Sequence, residues 1–126
     1  MRVSEIMRTD LRTISTDATV AEAVADLAAS GLSALPVLDR HGRAVGICTI
    51  RNVLNAEARH EALERTLVLE VMTPWPATVG PGDDVRVVAQ RMLDWKVKRL
   101  FVEEGGALVG VISQTDIVAA VAAARV

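Results

Sequence analysis

Apolar positions in the first half of the chain change their period in a fixed order. Val20, Ala23, Val24, Leu27 and Ala28 recur at i, i+3, i+4, i+7 and i+8, which is one face of a helix. Thr19 and Glu22 stand as a capping box at its start, and Gly31 suits its end. Two apolar runs follow, Ser33 to Leu38 and Ala44 to Ile50. They are joined by Asp39-Arg40-His41-Gly42, a turn that predicts a β-hairpin. A short extended piece from Arg12 to Ser15 precedes the helix, and a closing helix is expected from about Arg51 to Arg65. The predicted order is β-α-β-β-α.

The second half repeats the first. An offset of 65 aligns Val3-Ser4-Glu5-Ile6-Met7 with Val68-Leu69-Glu70-Val71-Met72, Thr13-Ile14 with Thr78-Val79, and Leu35 and Val37 with Leu100 and Val102. After one deletion in the turn, an offset of 64 pairs Val45-Gly46 with Val109-Gly110, Thr49 with Ser113 and Asn52 with Asp116. The second copy predicts an extended piece over Ala77 to Gly80 and a helix behind Asp83-Asp84 carrying Val85, Val88, Ala89, Met92 and Leu93. Strands over Lys98 to Glu103 and Ala107 to Ser113 follow, then a helix from Thr115 to Ala124. A copy of roughly 60 residues buries little surface alone, so the two are expected to pack together. The expected fold is α/β: two β-α-β-β-α domains, residues 1–62 and 63–126, related by pseudo-twofold symmetry and packed sheet to sheet.

Composition narrows the function classes. Aromatics are limited to Trp75, Trp95 and Phe101, so the core is built from Val, Ala, Leu and Ile, with 19 valines and 19 alanines. The net charge of −2 gives no basic excess for nucleic acid. With Lys96 and Lys98 as the two lysines, a polybasic membrane patch is not expected either. No apolar stretch approaches the length of a membrane span, and the N-terminus does not read as a signal peptide, so a cytoplasmic protein is expected. His41, Cys48 and His60 lack metal-ligand spacing, and Cys48 in its apolar run reads as a buried thiol. No Walker loop, Gly-x-Ser-x-Gly or paired catalytic carboxylates occur, so neither an enzyme nor a metal site is expected.

The repeats carry a resemblance. Each opens with Val-x-x-[Ile/Val]-Met and closes with Gly-[Ile/Val]-x-[Ser/Thr]-x-x-[Asp/Asn]. Between them stand Leu35-Pro36-Val37-Leu38-Asp39 and Arg99-Leu100-Phe101-Val102-Glu103, with Phe101 where a proline is usual. Over roughly residues 3 to 122 the chain resembles a tandem pair of cystathionine-β-synthase-type (CBS) domains, the Bateman module. The resemblance implies a sensory module that binds an adenosyl ligand (AMP, ADP, ATP or S-adenosylmethionine) in clefts between paired domains. It further implies a homodimer that regulates an effector protein. A ligand-free adaptor for dimerisation and docking is the rival expectation.

The second repeat holds the fuller set of candidate residues. Ser113 and Asp116 have the spacing of a capping box, and the same helix start offers free N–H groups to phosphate, with Thr115 adding a hydroxyl. The resemblance assigns Asp116 to the ribose hydroxyls and a basic residue before the Leu-x-Val strand to phosphate. Arg99 stands at that place, with Lys98 beside it, and a guanidinium suits a bidentate phosphate contact. Backbone groups of Thr78, Val79 and Leu100 are expected to read adenine, with apolar side chains including Phe101 around the ring. The equivalent set in the first repeat is Thr13, Ile14, Ala34, Leu35, Pro36, Thr49 and Asn52. It forms a weaker second site: Ser33-Ala34 offers no charge, and Asn52 replaces the ribose acid. Trp75, between Pro74 and Pro76, and Trp95 are expected to serve packing or dimer contact.

Overall fold

The β-α-β-β-α order occurs twice in the computed structural model, which describes residues 1–74 and 77–124. The first repeat comprises β1 (Ile14–Ser15), α1 (Val20–Ser30), β2 (Ala34–Leu38), β3 (Ala44–Thr49) and α2 (Ile50–Ala58). A short helix α3 (Val68–Val71) and strand β4 (Thr73–Pro74) lead into the second. That repeat comprises β5 (Thr78–Val79), α4 (Val85–Trp95), β6 (Arg99–Glu104), β7 (Ala107–Ser113) and α5 (Gln114–Ala124). The counterpart of α3 at the N-terminus is a single 3-10 turn, Val3–Glu5.

Local chemistry sets the helix ends. Thr19 Oγ1 accepts the Glu22 N–H at 3.2 Å while Glu22 Oε2 accepts the Thr19 N–H at 3.0 Å, the reciprocal box expected for α1. Helix α1 ends on Gly31 at φ +71°, in the left-handed region. At the equivalent place α4 ends on Lys96 at φ +56°, a conformation that disfavours a side chain.

The second helix of the first repeat is shorter than its pattern predicts. It stops at Ala58 rather than running to Arg65, and His60 takes φ +58° just beyond the end. The chain then folds back so that the Leu63 and Thr66 carbonyls accept the Ala21 and Val20 N–H groups, at 3.0 and 2.8 Å. Those are donors in the first turn of α1 that the helix itself leaves unpaired.

Two compact units result, and their boundary differs from the repeat boundary at 62/63. One unit runs from Arg12 through Pro74; the other joins Met1–Leu11 to the chain from Ala77 onward. Each Val-x-x-[Ile/Val]-Met lead-in therefore packs with the opposite repeat. In the first unit the sheet order is β1-β2-β3-β4, with β1 parallel to β2 and the other pairs antiparallel, so the second lead-in contributes its edge strand. Val68 is buried there with Ile14, Ala23, Leu27, Leu35, Val37 and Cys48. In the second unit β5 is parallel and β7 antiparallel to β6. The first lead-in adds an antiparallel bridge from Arg8 to Val111, and Val3 is buried.

Two glycines make room for the lead-ins. A Cβ on Gly46 would lie 2.6 Å from Met72 Sδ and 2.8 Å from the Thr73 carbonyl oxygen. One on Gly110 would lie 2.7 Å from Met7 Sδ and 3.0 Å from the Arg8 carbonyl oxygen. Among the described residues no helix is long and apolar enough to cross a membrane.

Candidate functional site

The antiparallel pairing of β6 with β7 decides what gathers at one end of the second unit. Arg99, the first residue of β6, lies in register with Ser113, the last residue of β7, and α5 begins immediately after. The Gln114 N–H donates to the Lys98 carbonyl at 2.9 Å, and the Gln114 side-chain amide donates to the Val97 carbonyl at 3.3 Å. The first turn of α5 is thus tied to the residues that precede β6. A half-buried arginine, an exposed lysine, two hydroxyls, a carboxylate and a helix N-terminus share one small region.

Within that region Ser113 and Asp116 form the expected capping box. The Asp116 N–H donates to Ser113 Oγ at 3.1 Å, and the Ser113 N–H donates to Asp116 Oδ2 at 3.0 Å. Thr115 is exposed beside them. Thr78 and Val79 lie on the far side of β6, opposite Phe101 and Val102. Leu100 and Phe101 of β6 are fully buried and Val79 of β5 nearly so, and β6 is the middle strand, paired with β5 on one side and β7 on the other.

The second oxygen of Asp116 has a partner that sequence reasoning missed. Arg8 Nε lies 3.2 Å from Asp116 Oδ1, with the arginine side chain 65% exposed and the aspartate side chain 11% exposed. Arg8 reaches Asp116 because its lead-in crosses to this sheet: Arg8 and Val111 exchange backbone hydrogen bonds of 2.9 and 3.0 Å.

The first unit repeats this geometry without charge. Ala34 lies in register with Thr49, at the place Arg99 holds opposite Ser113. Asn52 Oδ1 accepts the Thr49 N–H at 2.8 Å and the Thr49 hydroxyl at 2.9 Å, while the Asn52 amide donates to Thr73 Oγ1 at 3.2 Å. Thr73 is the lead-in residue equivalent to Arg8. The two lead-in contacts are therefore Arg8–Asp116 and Thr73–Asn52, one charged and one neutral. That paired difference is visible in the repeat alignment, at offsets of 65 and 64, but it acquires meaning only once the lead-ins are known to exchange sheets. Ile14 pairs with Val37, Leu35 with Cys48 and Pro36 with Ile47, so Ile14, Leu35 and Pro36 lie on neighbouring strands of one sheet, with Thr13 just before β1.

The remaining candidates stand apart. Cys48 is fully buried, and burial pushes its thiol pKa up. His41 lies in the β2–β3 hairpin, where Asp39 Oδ1 accepts the His41 and Arg43 N–H groups at 2.8 and 3.0 Å. Among the described residues no three His, Cys, Asp or Glu side chains gather as a metal site. Trp95 is about half exposed, with the Arg91 guanidinium 5.9 Å from its ring centre. Trp75 and Pro76 lie outside the described residues.

The sequence pattern of the CBS domain matches the chain twice, over residues 3–59 and 68–123. An inosine-5'-monophosphate dehydrogenase of Korarchaeum cryptofilum is 32% identical over 117 residues. These cover 92% of this chain and 23% of the enzyme. The chain thus spans about a quarter of the length of the first curated relatives it matches. Among solved structures, the CBS domain pair of protein MJ0100, in complex with 5'-methylthioadenosine and S-adenosyl-L-methionine, superposes at TM-score 0.83 with 24% identity over 98% of each chain. CBSX2 in complex with AMP superposes at TM-score 0.86 with 23% identity, over 99% of this chain and 98% of that one.

Proposed function

This chain belongs to the CBS domain family, and from that premise we propose that its second unit binds an adenosyl ligand, an adenine nucleotide or S-adenosylmethionine, as a regulatory signal. The observation that carries the reading is the register of Arg99 with Ser113, which brings the arginine's strand position alongside the residue that caps α5 and binds Asp116. Asp116 accepts hydrogen bonds from the ribose hydroxyls. Arg99, with the first turn of α5, takes a phosphate or other anionic group. Support comes from the related pairs solved with AMP and with S-adenosylmethionine. The first unit, with Ala34 and the internally satisfied Asn52, is the weaker site.

The module carries no chemistry of its own in this reading. It acts in the cytoplasm on an effector protein, as a homodimer. Exposed Leu54, Leu93, Trp95 and Val118 on its helices favour a homodimer, because such apolar faces are normally covered. A monomeric mass by light scattering at micromolar concentration would count against the dimer.

Calorimetric titration with AMP, ADP, ATP and S-adenosylmethionine tests the site. Hydrogen bonds to charged groups contribute about 1.5–3 kcal/mol each, so Asp116→Ala or Arg99→Ala weakens binding by roughly 10- to 100-fold. Asn52→Ala changes it far less. Asp116→Ala binding like the parent would sink the ribose assignment. The rival reading, a ligand-free adaptor, is favoured by the uncharged, self-satisfied geometry of the first unit; it expects no titration heat with any of the four compounds.

A further inference from the structure

Asp116 has two carboxylate oxygens with different duties. Oδ2 faces the backbone and closes the capping box through the Ser113 N–H. Oδ1 points the other way and holds Arg8 at 3.2 Å. A ribose that sets its hydroxyls on this carboxylate without breaking the helix cap competes with Arg8 for the outer oxygen, Oδ1. We propose that the Arg8–Asp116 ion pair is a ligand-displaced latch: a ribose bound at Asp116 expels Arg8 and loosens the N-terminal lead-in from the second unit. The proposal rests on the ribose assignment above and adds the route by which occupancy leaves the site.

Three observations give the latch its character. Arg8 is 65% exposed, so its guanidinium passes into water on release with little desolvation to overcome. The arginine end of the pair lies in solvent, which keeps the pair weak enough for a ligand to break. Arg8 is also the residue through which the lead-in joins the sheet, by two backbone hydrogen bonds to Val111. Loss of the side-chain anchor is therefore felt at the backbone bridge between lead-in and β7. The first unit lacks the device, because Thr73 and Asn52 meet there as neutral groups and the Asn52 oxygen is already shared by Thr49.

Binding linkage is reciprocal: whatever factor the ligand imposes on the pair, the pair imposes on the ligand. For an exposed pair that factor is about 1.5- to 5-fold. The test uses AMP and adenosine with the parent chain and with Arg8→Met, which keeps the aliphatic stem and removes the charge. Arg8→Met is expected to bind adenosine about 1.5- to 5-fold more tightly at low salt, with the gain shrinking at high salt. Saturating AMP is expected to speed hydrogen exchange at the Arg8 and Val111 amides of the parent, and to add nothing in Arg8→Met, where exchange is already fast. Thr73→Val is expected to leave adenosine affinity unchanged. A parent that binds AMP, together with an Arg8→Met chain that binds adenosine equally or more weakly, overturns the latch and leaves the site standing. A parent that binds neither compound overturns the site and the latch with it.

Discussion

Gly46→Ala gives the sharpest test of the exchanged lead-ins. Its new methyl would stand 2.6 Å from Met72 Sδ and 2.8 Å from the Thr73 carbonyl oxygen. The thioether can swing away. The carbonyl cannot, because Thr73 and Pro74 are paired with Ile47 and Gly46 as β4 against β3. Relief therefore requires β4 to lift, which gives up ladder hydrogen bonds of about 1 kcal/mol each. Overpacking a well-filled site costs roughly 1–3 kcal/mol, and alanine returns about 0.5–1 kcal/mol by limiting the unfolded chain. The net expectation is a loss of about 1–3 kcal/mol, or a melting temperature lower by roughly 3–10 °C for a chain of this size. Gly110→Ala should cost less, since its nearest backbone oxygen, on Arg8, is 3.0 Å away. Urea unfolding of both variants supplies the free energies, and hydrogen exchange at residues 68–74 locates the damage. Adding Met72→Ala to Gly46→Ala should restore only part of the loss, because the carbonyl contact remains. If Gly46→Ala unfolds at the parent's urea midpoint with residues 68–74 still protected, the lead-in does not pack on β3 as described.

Other predictions concern single groups. Lys96→Gly should raise stability by about 0.5–1 kcal/mol, because Lys96 sits at φ +56° where Gly31 caps the matching helix; a loss of stability would contradict the left-handed cap. The Arg43 N–H, and after it the His41 N–H, hold the Asp39 carboxyl below the usual carboxylate range, against the opposing effect of desolvation. That contribution is therefore present above the ordinary value of 3.8 and disappears as pH falls through the lower folded value. A carbon-detected titration of Asp39 should find its midpoint below 3.8, and one at or above that value would refute the turn geometry. Buried Cys48 should resist a thiol reagent until the chain unfolds. Because burial raises its pKa, stability should fall as pH climbs past the ordinary thiol value of 9.0, where only the unfolded chain ionises, and Cys48→Ala should remove that slope.

Much of this protein is written in local pattern. The spacing of Val20 to Ala28, the Thr19–Glu22 box and the Asp39 turn specify α1 and the first hairpin, because 3.6- and two-residue periods and caps are settled by neighbours in sequence. The duplication exposes the same plan twice. Ser113 and Asp116 are legible as a helix start for the same reason. The end of α2 is not, since it depends on the Leu63 and Thr66 carbonyls serving donors of α1 some forty residues earlier in the chain. Nor is the crossing of the lead-ins. A stretch such as Val3 to Arg8 satisfies its own short turn wherever it lies, and its apolar residues fit either sheet equally well by pattern. Each sheet has room for one lead-in: Gly110 admits Met7, and Gly46 admits Met72, at distances that would exclude a side chain. The tertiary structure alone brings Arg8 to Asp116 across 108 residues, because a charge pair of that separation leaves no periodicity in the chain and exists only once the sheets have chosen their edges.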